Sequence, residues 1–147
     1  MSVSNLVIKI TDALKPVLVK IIPQEYLSRA KKAYMNRNTT KLKDAKIAPY
    51  KPGRYAEGIN LIGSIQAASG LGQSSRLVAA ELEASGMPYS IKEHHISEQL
   101  SMTEHEFDAK FSDELPYDIN LLHINAHEFT VSYMQLGKQV WDYRYNI

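Results

Sequence analysis

A glycine-rich turn followed by a polar helix start is the part of the chain best suited to bind a ligand. Gly70 and Gly72 allow the backbone to turn sharply and to approach a bound group closely. A helix that begins just beyond them directs unpaired N–H groups and its positive dipole end toward the turn. The side chains of Ser69, Gln73 and Ser74 add hydrogen-bond donors. This combination predicts a site for a ligand that carries phosphate or other polar groups.

The spacing of these glycines differs from that of the two common phosphate-binding loops. A dinucleotide-binding loop needs a third glycine three residues after the second, and Ser75 occupies that position. A P-loop needs Gly-Lys followed by Ser or Thr, and no such sequence follows Gly72. A purely structural turn, in which glycine relieves backbone strain, is therefore the alternative interpretation.

Apolar runs on both sides of the turn predict the elements that position it. The run from Ile59 to Ile65 is typical of a strand buried on both faces, and residues 74–85 predict a helix that Gly86 and Pro88 end. The remaining predicted elements are strands at 89–94 and 119–124, a polar loop at 95–114, short helices at 128–136 and 138–143, and the start of a strand at 145–147. Alternation of this kind predicts an α/β fold with a parallel sheet.

The first part of the chain has a different character. Residues 1–46 show helical spacing of apolar residues, and residues 47–57, which contain Pro49 and Pro52, predict an extended linker. Residues 1–53 carry eleven Lys and Arg against three Asp and Glu, whereas residues 54–147 carry six against thirteen. A basic amphipathic helix of this kind either packs on protein or lies on an anionic membrane surface, and both readings stay open.

Several classes of site and location are excluded or disfavoured by the sequence. The chain has no cysteine, so disulfides and thiolate metal sites are excluded, and no apolar run is long enough to span a membrane. No metal site is predicted, because His123 and His127 would point in different directions and no third ligand accompanies them. No nucleic-acid motif accompanies the basic unit. We predict a cytoplasmic protein, with peripheral association at the inner face of the membrane as an option.

The chain resembles the opening of the retaining glycosyltransferases of family 4, which have the GT-B fold. The resemblance covers roughly residues 55–147. It rests on four segments in a fixed order, namely residues 58–63, 69–77, 120–125 and 133–137. It implies an incomplete Rossmann-like parallel sheet, the amino-terminal domain of a GT-B enzyme at residues 58–147, preceded by the basic helical extension.

The resemblance also implies a function and a set of site residues. Enzymes of this family transfer a sugar from a nucleotide-sugar to an acceptor, here expected to be a glycan or polysaccharide, and their first domain mostly binds the acceptor. The donor-facing glycine turn would be Ser69, Gly70, Leu71, Gly72 and Gln73. The cleft edge would include Asn125 and His127, although the residues after Asn125 depart from the family pattern.

The second domain of the family, which binds the nucleotide-sugar, is not found in this sequence. Glu98, Glu106 and Glu114 are spaced by eight residues, but they lie ahead of the third predicted strand, and we interpret them as solvated charges. We therefore expect a fragment that is inactive alone and carries neither catalytic residues nor a cofactor of its own. The alternative is a non-catalytic interaction or membrane-surface module with a Rossmann-like core.

Overall fold

The chain divides into two units, Met1–Lys46 and Ile47–Ile147. The computed structural model describes Pro23, Glu25, Tyr26, Arg29, Lys32, Ala33 and residues 46–96 and 100–147. In the first unit, the described residues that are helical are Glu25, Tyr26, Arg29, Lys32 and Ala33. The predicted basic helical extension and its membrane contact otherwise lie outside the described residues. Among those residues, none of the helices combines the length and the apolar character needed to cross a membrane.

The second unit begins with a buried strand and a capped helix. Strand β1 spans Ala56–Gly63 and buries Leu61 and Ile62 completely, as the apolar run predicts. Helix α1 spans Gly70–Ser85, four residues more than predicted at its start. Its first turn forms because the Ser69 hydroxyl accepts a hydrogen bond from the Gly72 N–H. Gly86, in the left-handed conformation, ends it.

The remaining elements follow the predicted order with shifted ends. Strand β2 spans Tyr89–Glu93 and strand β3 spans Tyr117–His123. Helix α2 spans Phe129–Leu136 and helix α3 spans Lys138–Trp141. Strand β4 is the pair Tyr145–Asn146. Single 3₁₀ turns occur at Asp108–Lys110 and Ala126–Glu128.

The strands form one parallel sheet in the order β2-β1-β3-β4. The chain first steps from β1 to β2 on one side and then crosses to β3 on the other side of β1. The crevice between the carboxyl ends of β1 and β3 is therefore the point where the strand order reverses, and ligands bind at such points in open α/β sheets. The predicted α/β class and parallel sheet are confirmed.

The two faces of the sheet are packed differently. On one face, Leu61 of β1 and Ile91 of β2 form an apolar core with Ala79 and Leu82 of α1. On the other face, the buried aromatic ring of Trp141 stacks on a tyrosine ring of α2, and a row of polar side chains crosses the strands. The row joins residues that are neighbours in register, which are Ser90, Asn60, Asn120 and Asn146.

The extended segment ahead of β1 packs on the α/β unit. The Ala48 N–H donates to Asp142 Oδ1 over 2.8 Å. The Tyr50 hydroxyl donates to Asp118 Oδ2 over 2.9 Å. These contacts tie much of the segment predicted as a linker to the sheet and to the end of α3.

Candidate functional site

The carboxyl ends of three strands meet at one edge of the sheet. Gly63, the last residue of β1, is paired in register with Glu93 of β2 on one side and His123 of β3 on the other. Because the strands are parallel, the segments that follow them all emerge at this edge. Helix α1 begins there as well, at Ser69.

Gly72 fills a structural position in the predicted donor-facing turn. A Cβ atom at this position would overlap the carbonyl oxygen of Ala67 and lie 2.9 Å from that of Ser64. Both obstacles are backbone atoms, so a side chain could enter only if the turn moved. Gly72 therefore allows the start of α1 to pack against the turn, and it is buried.

Gly70 and its neighbours have the opposite environment. A Cβ atom at Gly70 would meet nothing within 4 Å, and Gly70 and Gln73 are exposed. The N–H groups of Gly70 and Leu71 have no hydrogen-bond partner among the described residues. These two donors are the part of the predicted turn that is open to a ligand.

The turn itself is held by contacts that the sequence did not reveal. The Arg76 guanidinium donates from Nη1 to the carbonyl oxygens of Ile65 (2.8 Å) and Ala67 (3.0 Å). On the other side, the Ala68 N–H donates to the Ser101 carbonyl over 2.8 Å. Arg76 follows the glycines within the segment of resemblance, but nothing in its spacing indicated this positioning role.

Two serine–histidine hydrogen bonds also occur at this edge. Ser74 Oγ of α1 lies 3.0 Å from His123 Nε2 at the end of β3. On the opposite face, His94 Nε2 lies 2.8 Å from Ser132 Oγ of α2. Burial is the main cause of the lowered pKa of His94, so this imidazole is favoured in its neutral form.

On the other side of the site, a carboxylate stands at the last residue of β2 and an imidazole follows two residues later. Glu93 Oε2 accepts a hydrogen bond from the Gln66 N–H over 3.1 Å, which fixes this carboxylate to the glycine turn. Glu93 Oε1 lies 3.5 Å from His95 Nδ1. Burial is the main cause of the raised pKa of Glu93. Sequence reasoning missed this pair, although residues two apart on a strand share a face.

The predicted cleft-edge residues lie at the same edge and are open to solvent. Asn125 follows β3, is exposed, and donates from Nδ2 to Glu128 Oε2 over 3.2 Å. The His127 side chain is 81% exposed, and its Nε2 lies 3.9 Å from Glu128 Oε1. Neither residue contacts the glycine turn through a hydrogen bond in the described part of the chain.

A mainly apolar cavity of about 410 Å³ adjoins these residues. Its lining comprises Leu122, Ile124, Ala126, Phe129, Asn146 and Ile147. Across the described ranges, no three His, Asp or Glu side chains are grouped so that they could hold a metal ion. The exposed polar side chains at this edge, such as Asn125, can form hydrogen bonds.

Comparisons of the chain with protein-family models, with curated proteins and with solved structures find no match.

Proposed function

We propose that the α/β unit is the acceptor-side portion of a GT-B glycosyltransferase, which transfers a sugar from a nucleotide-sugar to a glycan or polysaccharide. The single observation that best supports this proposal is the 3.0 Å hydrogen bond between Ser74 and His123. It joins two of the four segments on which the resemblance to family 4 rests, at the point where the strand order reverses. A cleft wall built from both segments requires such proximity.

The start of α1 supplies the chemistry that this role needs. The unpaired N–H groups of Gly70 and Leu71 and the positive end of the helix dipole favour negative charge on a bound group. Charge of this kind develops on the diphosphate of a nucleotide-sugar when its sugar leaves. The side chains of Gln73 and Asn125 are exposed and can hydrogen-bond to sugar hydroxyls.

An array of immobilised oligosaccharides, probed with the labelled 147-residue chain, tests the proposal. Gln73→Tyr places a bulky ring over the open helix start, and Leu77→Tyr places the same ring one turn further along α1, where Leu77 is 61% exposed. We expect the wild type and Leu77→Tyr to bind the same glycans. We expect Gln73→Tyr to bind them at least about fivefold more weakly, equivalent to about 1 kcal/mol.

Two outcomes would contradict the proposal. Binding of no glycan by the wild type would favour the interaction or membrane-surface module instead. Equal binding by the two tyrosine variants would place glycan binding away from the start of α1. In parallel, incubation with UDP-glucose, UDP-N-acetylglucosamine or GDP-mannose and the bound glycans is expected to give no transfer. Detected transfer would contradict the assignment of this unit to the acceptor side alone.

A further inference from the structure

Glu93 and His95 lie on the same face of the chain as it leaves β2. Side chains alternate along an extended strand, so His94 points to the opposite face, where it contacts Ser132. The side chains of Glu93 and His95 are 18% and 31% exposed. The pair is therefore largely withdrawn from water and still reachable from the carboxyl edge of the sheet.

The facing atoms of this pair are buried and unsatisfied. Glu93 Oε1 and His95 Nδ1 have no hydrogen-bond partner in the described part of the chain, and they lie 3.5 Å apart. Leaving a buried polar atom without a partner carries a free-energy cost. If the two side chains moved slightly closer, His95 Nδ1–H would donate a hydrogen bond to Glu93 Oε1. This bond would remove the cost for both atoms.

The surroundings hold the carboxylate more firmly than the imidazole. Glu93 Oε2 is fixed by the Gln66 N–H. The Gln66 side chain extends to the loop and donates to Asp108 Oδ1 over 2.8 Å, beside the ring of His105. In the described part of the loop, the titratable groups Asp108 and His105 contact the Gln66 side chain. Because Asp108 and His105 contact Gln66, Glu93 Oε1 remains available to accept a hydrogen bond from His95.

A proton on Nδ1 determines what the other ring nitrogen does. In neutral imidazole one nitrogen donates and the other accepts, and the partner of the first fixes the role of the second. His95 Nε2 has no partner among the described residues. With Nδ1 directed to Glu93, Nε2 becomes a hydrogen-bond acceptor at the carboxyl edge, near the glycine turn.

We propose that Glu93 and His95 form a hydroxyl-binding subsite, in which His95 Nε2 accepts a hydrogen bond from an alcohol group of a sugar ligand. Glu93 is a positioning residue that sets the ring orientation and the tautomer of His95. The identity of the ligand as a sugar rests on the proposed function, whereas the arrangement of the pair does not.

Long-range ¹H–¹⁵N correlation spectra of the ¹⁵N-labelled full chain test the arrangement directly. At about pH 8, above the ordinary histidine pKa, we expect His95 to carry its proton on Nδ1. His127 is the internal reference, because its side chain is largely exposed and its carboxylate neighbour, Glu128 Oε1, lies 3.9 Å from Nε2 rather than beside Nδ1. In Glu93→Ala the tautomer of His95 is expected to shift toward that of His127. A proton on Nε2 of His95 in the wild type would overturn the inference, whatever the glycan array shows.

A second measurement tests the ligand. His95→Phe keeps a ring of similar size and removes the acceptor nitrogen. Leu77→Phe is the control, because it places the same ring at an exposed position one turn beyond Gln73 on α1. We expect His95→Phe to weaken glycan binding about fivefold, the effect of one neutral hydrogen bond. We expect Leu77→Phe to bind as the wild type does. Unchanged binding by His95→Phe would overturn the subsite. A lack of glycan binding by the wild type would refute the proposed function and the sugar as ligand. In that case the tautomer of His95 would still test the arrangement of the pair.

Discussion

Two groups of buried polar side chains in the α/β unit differ in how completely they are satisfied. In the row across the sheet, Asn120 Nδ2 donates to the Val140 carbonyl and to Asn146 Oδ1, and its own Oδ1 accepts from Asn60. At the carboxyl edge, Glu93 Oε1 and His95 Nδ1 remain without hydrogen-bond partners among the described residues.

From this difference we infer a structural role for the row across the sheet and a binding role for the pair at the carboxyl edge. A fully satisfied network in a protein interior rigidifies the fold and fixes strand register. An unsatisfied pair of buried polar atoms destabilises the fold, and a role in binding would explain its presence. We therefore expect substitutions in the asparagine row to change stability, and substitutions at the pair to change ligand binding.

The largest effect is expected for Asn120→Ala. This change removes both donors to Val140 and Asn146 and the acceptor for Asn60, and it leaves a small cavity at a position with no solvent exposure. Urea unfolding is expected to show a loss of about 4 kcal/mol. The matched change Asn125→Ala, at an exposed asparagine, is expected to alter stability by less than about 0.5 kcal/mol. Similar losses for both variants would show that the row has no special structural role.

The next largest effect is expected at the glycine turn. In Gly72→Ala the added methyl group would overlap the Ala67 carbonyl, so we expect unfolding to become easier by about 3 kcal/mol. Gly70→Ala is its control, because the methyl group enters open space within the same helix turn. That variant is expected to be more stable than the wild type by about 0.5 kcal/mol. An equal response of the two positions in thermal unfolding would contradict the assigned difference between them.

A smaller and pH-dependent effect is expected for Glu93→Gln. The folded protein raises the pKa of Glu93 above its ordinary value of 4.5, so the folded state holds this proton more tightly than the unfolded state. The resulting stabilisation is complete below pH 4.5 and is lost as pH rises through the folded-state pKa. Because glutamine does not titrate, the stability of Glu93→Gln relative to the wild type should increase from pH 4 to pH 7. A difference that stays constant over this range would contradict the burial of this carboxylate.

His94 is expected to give the opposite pH dependence. Its pKa is lowered from the ordinary value of 6.5, mainly by burial, so the unfolded state binds a proton more readily. Its contribution is present above pH 6.5 and is lost as pH falls toward the folded-state pKa. We expect His94→Gln to lessen the decline in stability between pH 7 and pH 5. An unchanged decline in unfolding measurements would show that His94 titrates as it does in the unfolded chain.

The sequence predicted the elements better than the contacts between them. Apolar runs identified β1 and β3, because a parallel strand buried on both faces has few polar residues. Strand β2 was predicted from Tyr89 and Ile91, which share one face. The start of α1 was missed because the glycines at 70 and 72 disfavour helix by propensity, and the Ser69 cap outweighs them. The asparagine row could not be predicted, because it depends on the register between strands.

Part of the candidate site could be predicted from the order of the strands. The turn after β1 and the segment after β3 were both expected at one edge, since parallel strands bring their carboxyl ends together. The different environments of Gly70 and Gly72 depend on the path of the turn, which spacing does not reveal. The two-residue spacing of Glu93 and His95 is that of side chains on one face of a strand. The pair was missed because His95 was predicted to lie in a polar loop.

Backbone-amide NMR of the full chain, with and without the glycan that binds most strongly on the array, tests the central claim most directly. The claim is that the carboxyl edge binds the ligand and the asparagine row only maintains the fold. We predict that binding shifts the amide resonances of Gly70, Gln73 and His95 and leaves those of Asn60 and Asn120 unchanged. Shifts of Asn60 and Asn120, or shifts confined to residues distant from the carboxyl ends of the strands, would contradict it.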